Sequence, residues 1–283
     1  SDDTKVGLPW NTLGSRGTHA IDDKGRMWTF NAHGKIIVFQ LPFKAGDAPL
    51  KDFVKAYWID DRKEIDYGGF EVGLGFDPVG RKLWILDRSN HRLLRVSNYD
   101  DYQAGLLVDM VIGQTDKSGT ACNQGQPYPG ANTLCTMSQI EFDRQGNLYV
   151  VENAYECHPN DRITMFTAED LRNAQGLFPN LSARKVFVAS QFNQHGGCDV
   201  FGKLTEPFSL VSIAFNSRNE MVVGNDGYYG IGEERHWRQL WFYRDPLKRN
   251  PDGSFVQGQK PDAYIRIPLG AAGEINFDDV DLK

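Results

Sequence analysis

The strongest constraint on this chain is a recurrence. An apolar segment ends in Asp or Asn. Two residues and a Gly or Asn follow, then a segment with an aromatic or Met, a polar connection and another apolar segment. The pattern occurs in "AIDDKGRMWTFNAHGKIIVF" from Ala20, "GLGFDPVGRKLWILDRSNHRLLRV" from Gly73, "IEFDRQGNLYVVENAYECHPNDRITMF" from Ile140 and "IAFNSRNEMVVGNDGYYGIGEERHWRQLWFY" from Ile213. The anchors are Asp22, Asp77, Asp143 and Asn216, and "INFDDVDLK" puts Asp278 in the same place. Asp and Asn cap tight turns, and Gly or Asn accepts the left-handed backbone that such turns require. Alternation in "KLWILD" and "NLYVVE" fits strands with two different faces.

A fourth strand can be read after each unit, at Phe53–Ile59, Leu106–Ile112, Lys185–Ala189 and Ala263–Pro268. Four antiparallel strands repeated around an axis make a β-propeller, in which neighbouring blades bury what one blade cannot. The expected fold is all-β, one β-propeller domain over residues 1–283. Four full repeats and the opening strand of a fifth predict either a fragment of a five- or six-bladed ring, the preferred reading, or a last blade completed by Ser1–Gly17. With 29 Gly and 12% aromatic residues, the composition agrees with short strands and many turns.

Several classes are disfavoured. The net charge of −6 lacks the electrostatic footprint of a nucleic-acid binder. No apolar run is long enough to predict a membrane span. GxSxG, HExxH, Walker A and Rossmann glycine signatures are absent. The four cysteines, Cys122, Cys135, Cys157 and Cys198, form no CxxC. They are read as two disulfides of an exported protein, extracellular or periplasmic, whose signal peptide has been removed. Four cysteines allow three pairings, and Cys122–Cys135 with Cys157–Cys198 is favoured. Asn180-Leu181-Ser182 is an N-glycosylation sequon.

"GLGFDPVGRKLWILDRSNHRLLRV" resembles the NHL repeat, through its turn, its strand ending in Asp87 and its Asn90-His91-Arg92. In "VVENAYECHPNDRITMF" Asn160-Asp161-Arg162 stands in the equivalent place, and "VIGQTDKSG" at Val111 resembles the inter-repeat segment of bacterial secreted NHL proteins. The resemblance is good over roughly 70–166 and implies a propeller rather than an activity. His91 corresponds to Asp161, so it is read as a turn residue rather than a metal ligand. More distantly the chain resembles six-bladed gluconolactonase-like hydrolases, which implies a divalent metal at the channel mouth. The several histidines of zinc-dependent amidating lyases are missing.

The loops on one face of such a disc are the natural binding surface. The long insertions at 113–137, 154–161, 190–208 and 224–237 fall there, with all four cysteines. Starts of first strands place His19, Glu71, Gln139, Ser209 and Glu274 near the channel mouth. Ends of second strands add Asn31, Asp87, Glu152, Asn153, Asn225 and Asp226. The candidate metal set is His19, Glu71, Glu152, Asn153, Asn225 and Asp226, whose oxygens suit Ca²⁺. The candidate recognition patch is Tyr228, Tyr229, Arg235, His236 and Trp237, since aromatics and Arg carry much of the energy of binding surfaces. Three functions follow: a rigid scaffold for a protein or glycan partner, a metal-dependent hydrolase or lyase, and a structural subunit that pairs through exposed strand edges near Lys283.

Overall fold

The computed structural model describes residues 19–30, 35–44, 46–67, 72–152, 160, 162–188, 209–226, 237–268 and 281–282. The protein is all-β apart from one short helix and a few 3₁₀ turns among these residues. Four antiparallel blades follow in chain order, as in a propeller. Blade 1 has β1 (Ala20–Ile21), β2 (Arg26–Phe30), β3 (Ile36–Gln40) and β4 (Lys51–Val54). A short strand β5 (Ala56–Trp58) precedes blade 2, which has β6 (Val72–Asp77), β7 (Lys82–Asp87), β8 (Arg92–Val96) and β9 (Leu106–Ile112). Blade 3 has β10 (Met137–Phe142), β11 (Leu148–Glu152), β12 (Arg162–Phe166) and β13 (Lys185–Val188), with helix α1 (Ala168–Asn173) in its last connection. Blade 4 has β14 (Ser209–Phe215), β15 (Met221–Asp226), β16 (Trp237–Tyr243), β17 (Ala263–Pro268) and an outermost β18 (Asp281–Leu282). The first strands β1, β6, β10 and β14 adjoin in that order and form the inner side of the array.

The anchor residues make the turns for which the sequence selects them. Asp22 Oδ1 accepts from the amides of Lys24 and Arg26 at 2.9 and 3.0 Å. Asp143 Oδ1 accepts from Gln145 and Asn147, both at 2.9 Å, and Asn216 Oδ1 from Arg218 and Glu220 at 2.9 and 3.0 Å. The left-handed residue is Gly25, Gly146 or Asn219 in these turns. In blade 2 one extra residue moves it from the expected Gly80 to Arg81, at φ 53°. Gly80 is needed for space instead, because a Cβ there would stand 2.4 Å from Asp77 Oδ2.

Because strand residues alternate sides, each blade presents one face forward and one back. Trp28, Phe30, Ile36 and Val38 of blade 1 pack with Leu74, Leu83, Ile85 and Leu94 of blade 2. Trp84, Leu86 and Leu93 pack with Ile140, Phe142 and Val150 of blade 3. Tyr149, Val151 and Ile163 pack with Ile213, Met221, Val223 and Trp241 of blade 4. Burying each such large side chain contributes roughly 2–3 kcal/mol, so the interfaces between blades hold the array together.

One sequence expectation changes, and one edge is covered by chain that the sequence reading assigned elsewhere. The predicted fourth strand Phe53–Ile59 is really two: β4 completes blade 1, whereas β5 runs parallel to β9 at the outer edge of blade 2. The predicted opening strand of a fifth repeat, before anchor Asp278, lies outside the described residues, and only the chain after its turn is described. Asp281 and Leu282 pair antiparallel with Arg266 and Ile265 on the outer edge of blade 4, and anchor Asp278 lies outside the described residues. The physical reason is shared, since a bare strand edge leaves ladder groups unpaired and nearby chain covers it.

Candidate functional site

Strand ends on one side of the disc carry a repeated acid–arginine pair. Asp87 lies opposite Arg92 in register, Glu152 opposite Arg162, and Asp226 opposite Arg238. In blade 2, Arg92 Nε donates to Asp87 Oδ2 at 2.7 Å, and Asn90 Nδ2 donates to both carboxylate oxygens at 2.9 and 3.0 Å. In blade 3, Arg162 Nε donates to Glu152 Oε1, and Asn160 Nδ2 to Oε2, both at 2.8 Å. Burial pushes both carboxyls upward, while the paired arginine and the Asn amide pull them back. An acid fully removed from water persists only when so paired.

These pairs hold the irregular segment 113–137, which joins β9 to β10. Glu152 Oε2 accepts from the Cys135 amide at 3.0 Å. Arg162 donates to the carbonyls of Gly130 and Thr133 at 3.0 and 2.9 Å. Asn123 and Asn160 exchange two side-chain hydrogen bonds of 2.8 Å. On the blade 2 side, Arg92 donates to the Lys117 carbonyl at 3.0 Å, and Trp58 lies beneath both Arg92 and Lys117. Gln114 Nε2 donates to the carbonyls of Asn90, His91 and Ala121 at 2.9–3.3 Å. The Ala183 amide donates to the Ala131 carbonyl at 2.7 Å, and Asn132 Nδ2 donates to Asn180 Oδ1 at 2.7 Å. The Cys122–Cys135 disulfide closes the segment on itself, as expected. From this fixed frame Tyr128, between Pro127 and Pro129, projects with 74% of its surface exposed.

Of the expected metal set, only His19 and Glu152 have described side chains. Glu152 is fully buried and its oxygens are occupied by Arg162, Asn160 and Cys135, so ligating an ion would dismantle the loop anchor. His19 is exposed, with Nδ1 2.6 Å from Thr29 Oγ1. Glu71 and Asn153 lie outside the described residues, as do Asn31 and Glu274. For Asn225, Asp226 and Ser209 only strand position is described, and Asp226 belongs by register to the acid–arginine series. No group of three or more metal-ligating side chains occurs among the described residues. Gln139 faces blade 4, where its amide donates to the Ile213 carbonyl and accepts from the Ile213 amide, both at 2.9 Å.

The predicted recognition loop is shorter than 224–237, because β15 extends to Asp226 and β16 starts at Trp237. Tyr228, Tyr229, Arg235 and His236 lie outside the described residues, as do Cys157 and Cys198, and for Trp237 only the backbone is described. His91 has the turn role expected of it: it takes a left-handed backbone, φ 51°, and its Nδ1 accepts from the Thr136 amide at 3.2 Å. Asn180 of the sequon is exposed. Asp87 and Glu152, at the channel mouth by their sequence position, have as partners Arg92 and Arg162. The usable signal is the Asn-x-Arg after the acid-ended strand in blades 2 and 3, Asn90-His91-Arg92 and Asn160-Asp161-Arg162.

No family model matches the chain, and no curated protein matches it. Solved structures do. The hydrazine synthase of Kuenenia stuttgartiensis aligns over 97% of this chain and 68% of its own, at 9% identity and a TM-score of 0.44. The periplasmic gluconolactonase PpgL of Pseudomonas aeruginosa aligns over 96% of this chain and 68% of its own, at 12% identity and a TM-score of 0.37. The Cps50 (Swd1) beta-propeller domain of Myceliophthora thermophila aligns over 90% and 94%, at 13% identity and a TM-score of 0.31. Likeness at this level concerns the arrangement of strands, not activity.

Proposed function

We propose that this protein is an exported propeller that binds a protein or glycan through the loop face built on segment 113–137. The observation that carries the reading is the combination of irregular chain with rigid anchoring. A disulfide, two buried acid–arginine pairs and the Gln114 and Asn123 amides fix the backbone, and Tyr128 stands out from it exposed. A loop already ordered loses little entropy on binding, and an exposed aromatic on such a loop is a low-cost anchor. The disulfide supports the exported setting.

The test is binding to arrayed glycans and to extracellular protein ectodomains, with wild type, Tyr128→Ala and Val79→Ser compared. Val79 is exposed in the β6–β7 turn, at the opposite end of blade 2. The reading expects a ligand whose affinity falls at least about tenfold in Tyr128→Ala and is unchanged in Val79→Ser. Equal affinity in all three proteins would place recognition elsewhere.

A further inference from the structure

The irregular segment that joins β9 to β10 is uncharged along most of its length. No Asp, Glu, Lys, Arg or His occurs from Ser118 to Ile140, the longest such run in a chain whose charged fraction is 24%. Amides and hydroxyls stand there instead: Thr120 and Gln126 are exposed and Asn132 is half-buried. The backbone around the tip is satisfied from within the protein. The Ala131 carbonyl accepts from the Ala183 amide, the Asn132 carbonyl from Gln124 Nε2, and the Gly130 and Thr133 carbonyls from Arg162. Side chains are therefore the groups that face a ligand. Asn132 Nδ2 donates to Asn180 Oδ1 at 2.7 Å, which leaves one acceptor and one donor of this pair without a partner among the described residues. Asn132 Oδ1 lies 3.1 Å from where a Cβ on Gly130 would stand, beside the turn that follows Tyr128 and Pro129. The Gln126 side chain likewise makes no hydrogen bond among the described residues.

We propose that the ligand of this face is an uncharged oligosaccharide, stacked on Tyr128 and hydrogen-bonded by Gln126 and the Asn132–Asn180 pair. The inference rests on the loop-face reading above and narrows its ligand to one chemical class. A sugar ring presents both C–H and O–H surface. The C–H face carries a slight positive charge and packs on the negative face of an aromatic ring. Each hydroxyl donates and accepts, and so does each side-chain amide. A charged side chain beside a neutral ligand loses water and gains no counter-charge, so its absence over this run suits such a ligand. A protein partner is met by arginine as well as aromatics, inside a polar rim, and an acidic sugar by paired cations; the run from Ser118 to Ile140 supplies no cation for either. The tip is also shaped in advance. Prolines flank Tyr128, and Gln126 has extended backbone, φ −81° and ψ 146°. The ring is thus presented with little ordering left to do on binding.

Titration calorimetry tests the proposal with neutral gluco-, manno-, galacto-, xylo- and chito-oligosaccharides and with anionic oligogalacturonate. The proteins are wild type, Tyr128→Ala, Tyr128→Phe and Gln126→Ala, each with the wild-type melting temperature, since both side chains are exposed. The expected result is binding of at least one neutral oligosaccharide, with equal affinity at about 50 and about 500 mM salt. Tyr128→Ala should weaken it by about tenfold or more, Gln126→Ala by severalfold, and Tyr128→Phe should keep it, because the ring and not the hydroxyl stacks. Three results would overturn the proposal: no neutral oligosaccharide bound at millimolar concentration, binding of the oligogalacturonate alone, or neutral-sugar binding unchanged in Tyr128→Ala. The two readings fail separately. A protein ectodomain that requires Tyr128, with no neutral sugar bound, keeps the loop face and overturns the sugar. No Tyr128-dependent ligand of either class overturns both.

Discussion

At the residue scale the turn anchors and the buried acids contribute in different ways. Gly146 has φ 81°, and a Cβ there would lie 3.0 Å from both Asp77 Oδ1 and Val79 Cβ of the neighbouring turn. Gly146→Ala should therefore cost about 1–2 kcal/mol in urea unfolding, whereas an unchanged midpoint would show that the turn relaxes freely. Glu152→Ala leaves the Arg162 guanidinium buried without its counter-charge and should cost roughly 3–5 kcal/mol. Glu141 gives a pH signature. Burial pushes its carboxyl to about 7 from an ordinary 4.5, against the smaller opposing pulls of the Phe142 amide and the Gln139 side chain. Between these values the folded chain keeps a proton that the unfolded chain releases. This group's contribution to stability is thus fully present below pH 4.5 and lost as pH rises to 7. Glu141→Gln should flatten that dependence and exceed wild type at pH 8 by up to about 3 kcal/mol, and parallel melting curves from pH 5 to 8 would contradict it. The anchors were legible in the sequence because an Asx turn is local. The partners of Glu152 were not, because Cys135 lies 17 residues before it and Arg162 10 after.

At the element scale the strands were legible and the pieces that cover their edges were not. The predicted strand Leu106–Ile112 is found with those bounds, and so is Ala263–Pro268. Hydrophobic alternation reports strands that pack, but an edge cover is chosen by unpaired backbone and needs no side-chain pattern. So β5 was merged with β4, and α1 with the segment after it was not expected. That segment covers β9 through the Leu177 carbonyl, which accepts from the Val111 amide at 2.7 Å. On β13, the Gly258 amide donates to the Val186 carbonyl at 2.9 Å. The disulfide acts at this scale as well. It spans 13 residues, and replacing both Cys122 and Cys135 by Ser should lower stability by about 2–3 kcal/mol while leaving the far-UV spectrum unchanged. Loss of the β signal instead would mean that the blades depend on the loop.

At the scale of the whole molecule, four blades and three cores between them place one long irregular segment across the junction of blades 2 and 3. The propeller was legible because its unit recurs, and recurrence averages over weak local signals. Which residues fix segment 113–137 was not legible, because the anchors converge from β7, β11, β12 and the chain after α1. Nearby chain covers the outer edges of blades 2, 3 and 4. The central claim is that segment 113–137 is held as firmly as the strands that flank it. Amide hydrogen exchange tests it most directly. The account predicts that the amides of Asn123, Gly130, Cys135 and Thr136, which donate to Leu134, Thr133, Glu152 and His91, exchange nearly as slowly as those of β11 and turn fast in Glu152→Ala. Fast exchange across the segment in the oxidised wild-type protein would contradict it.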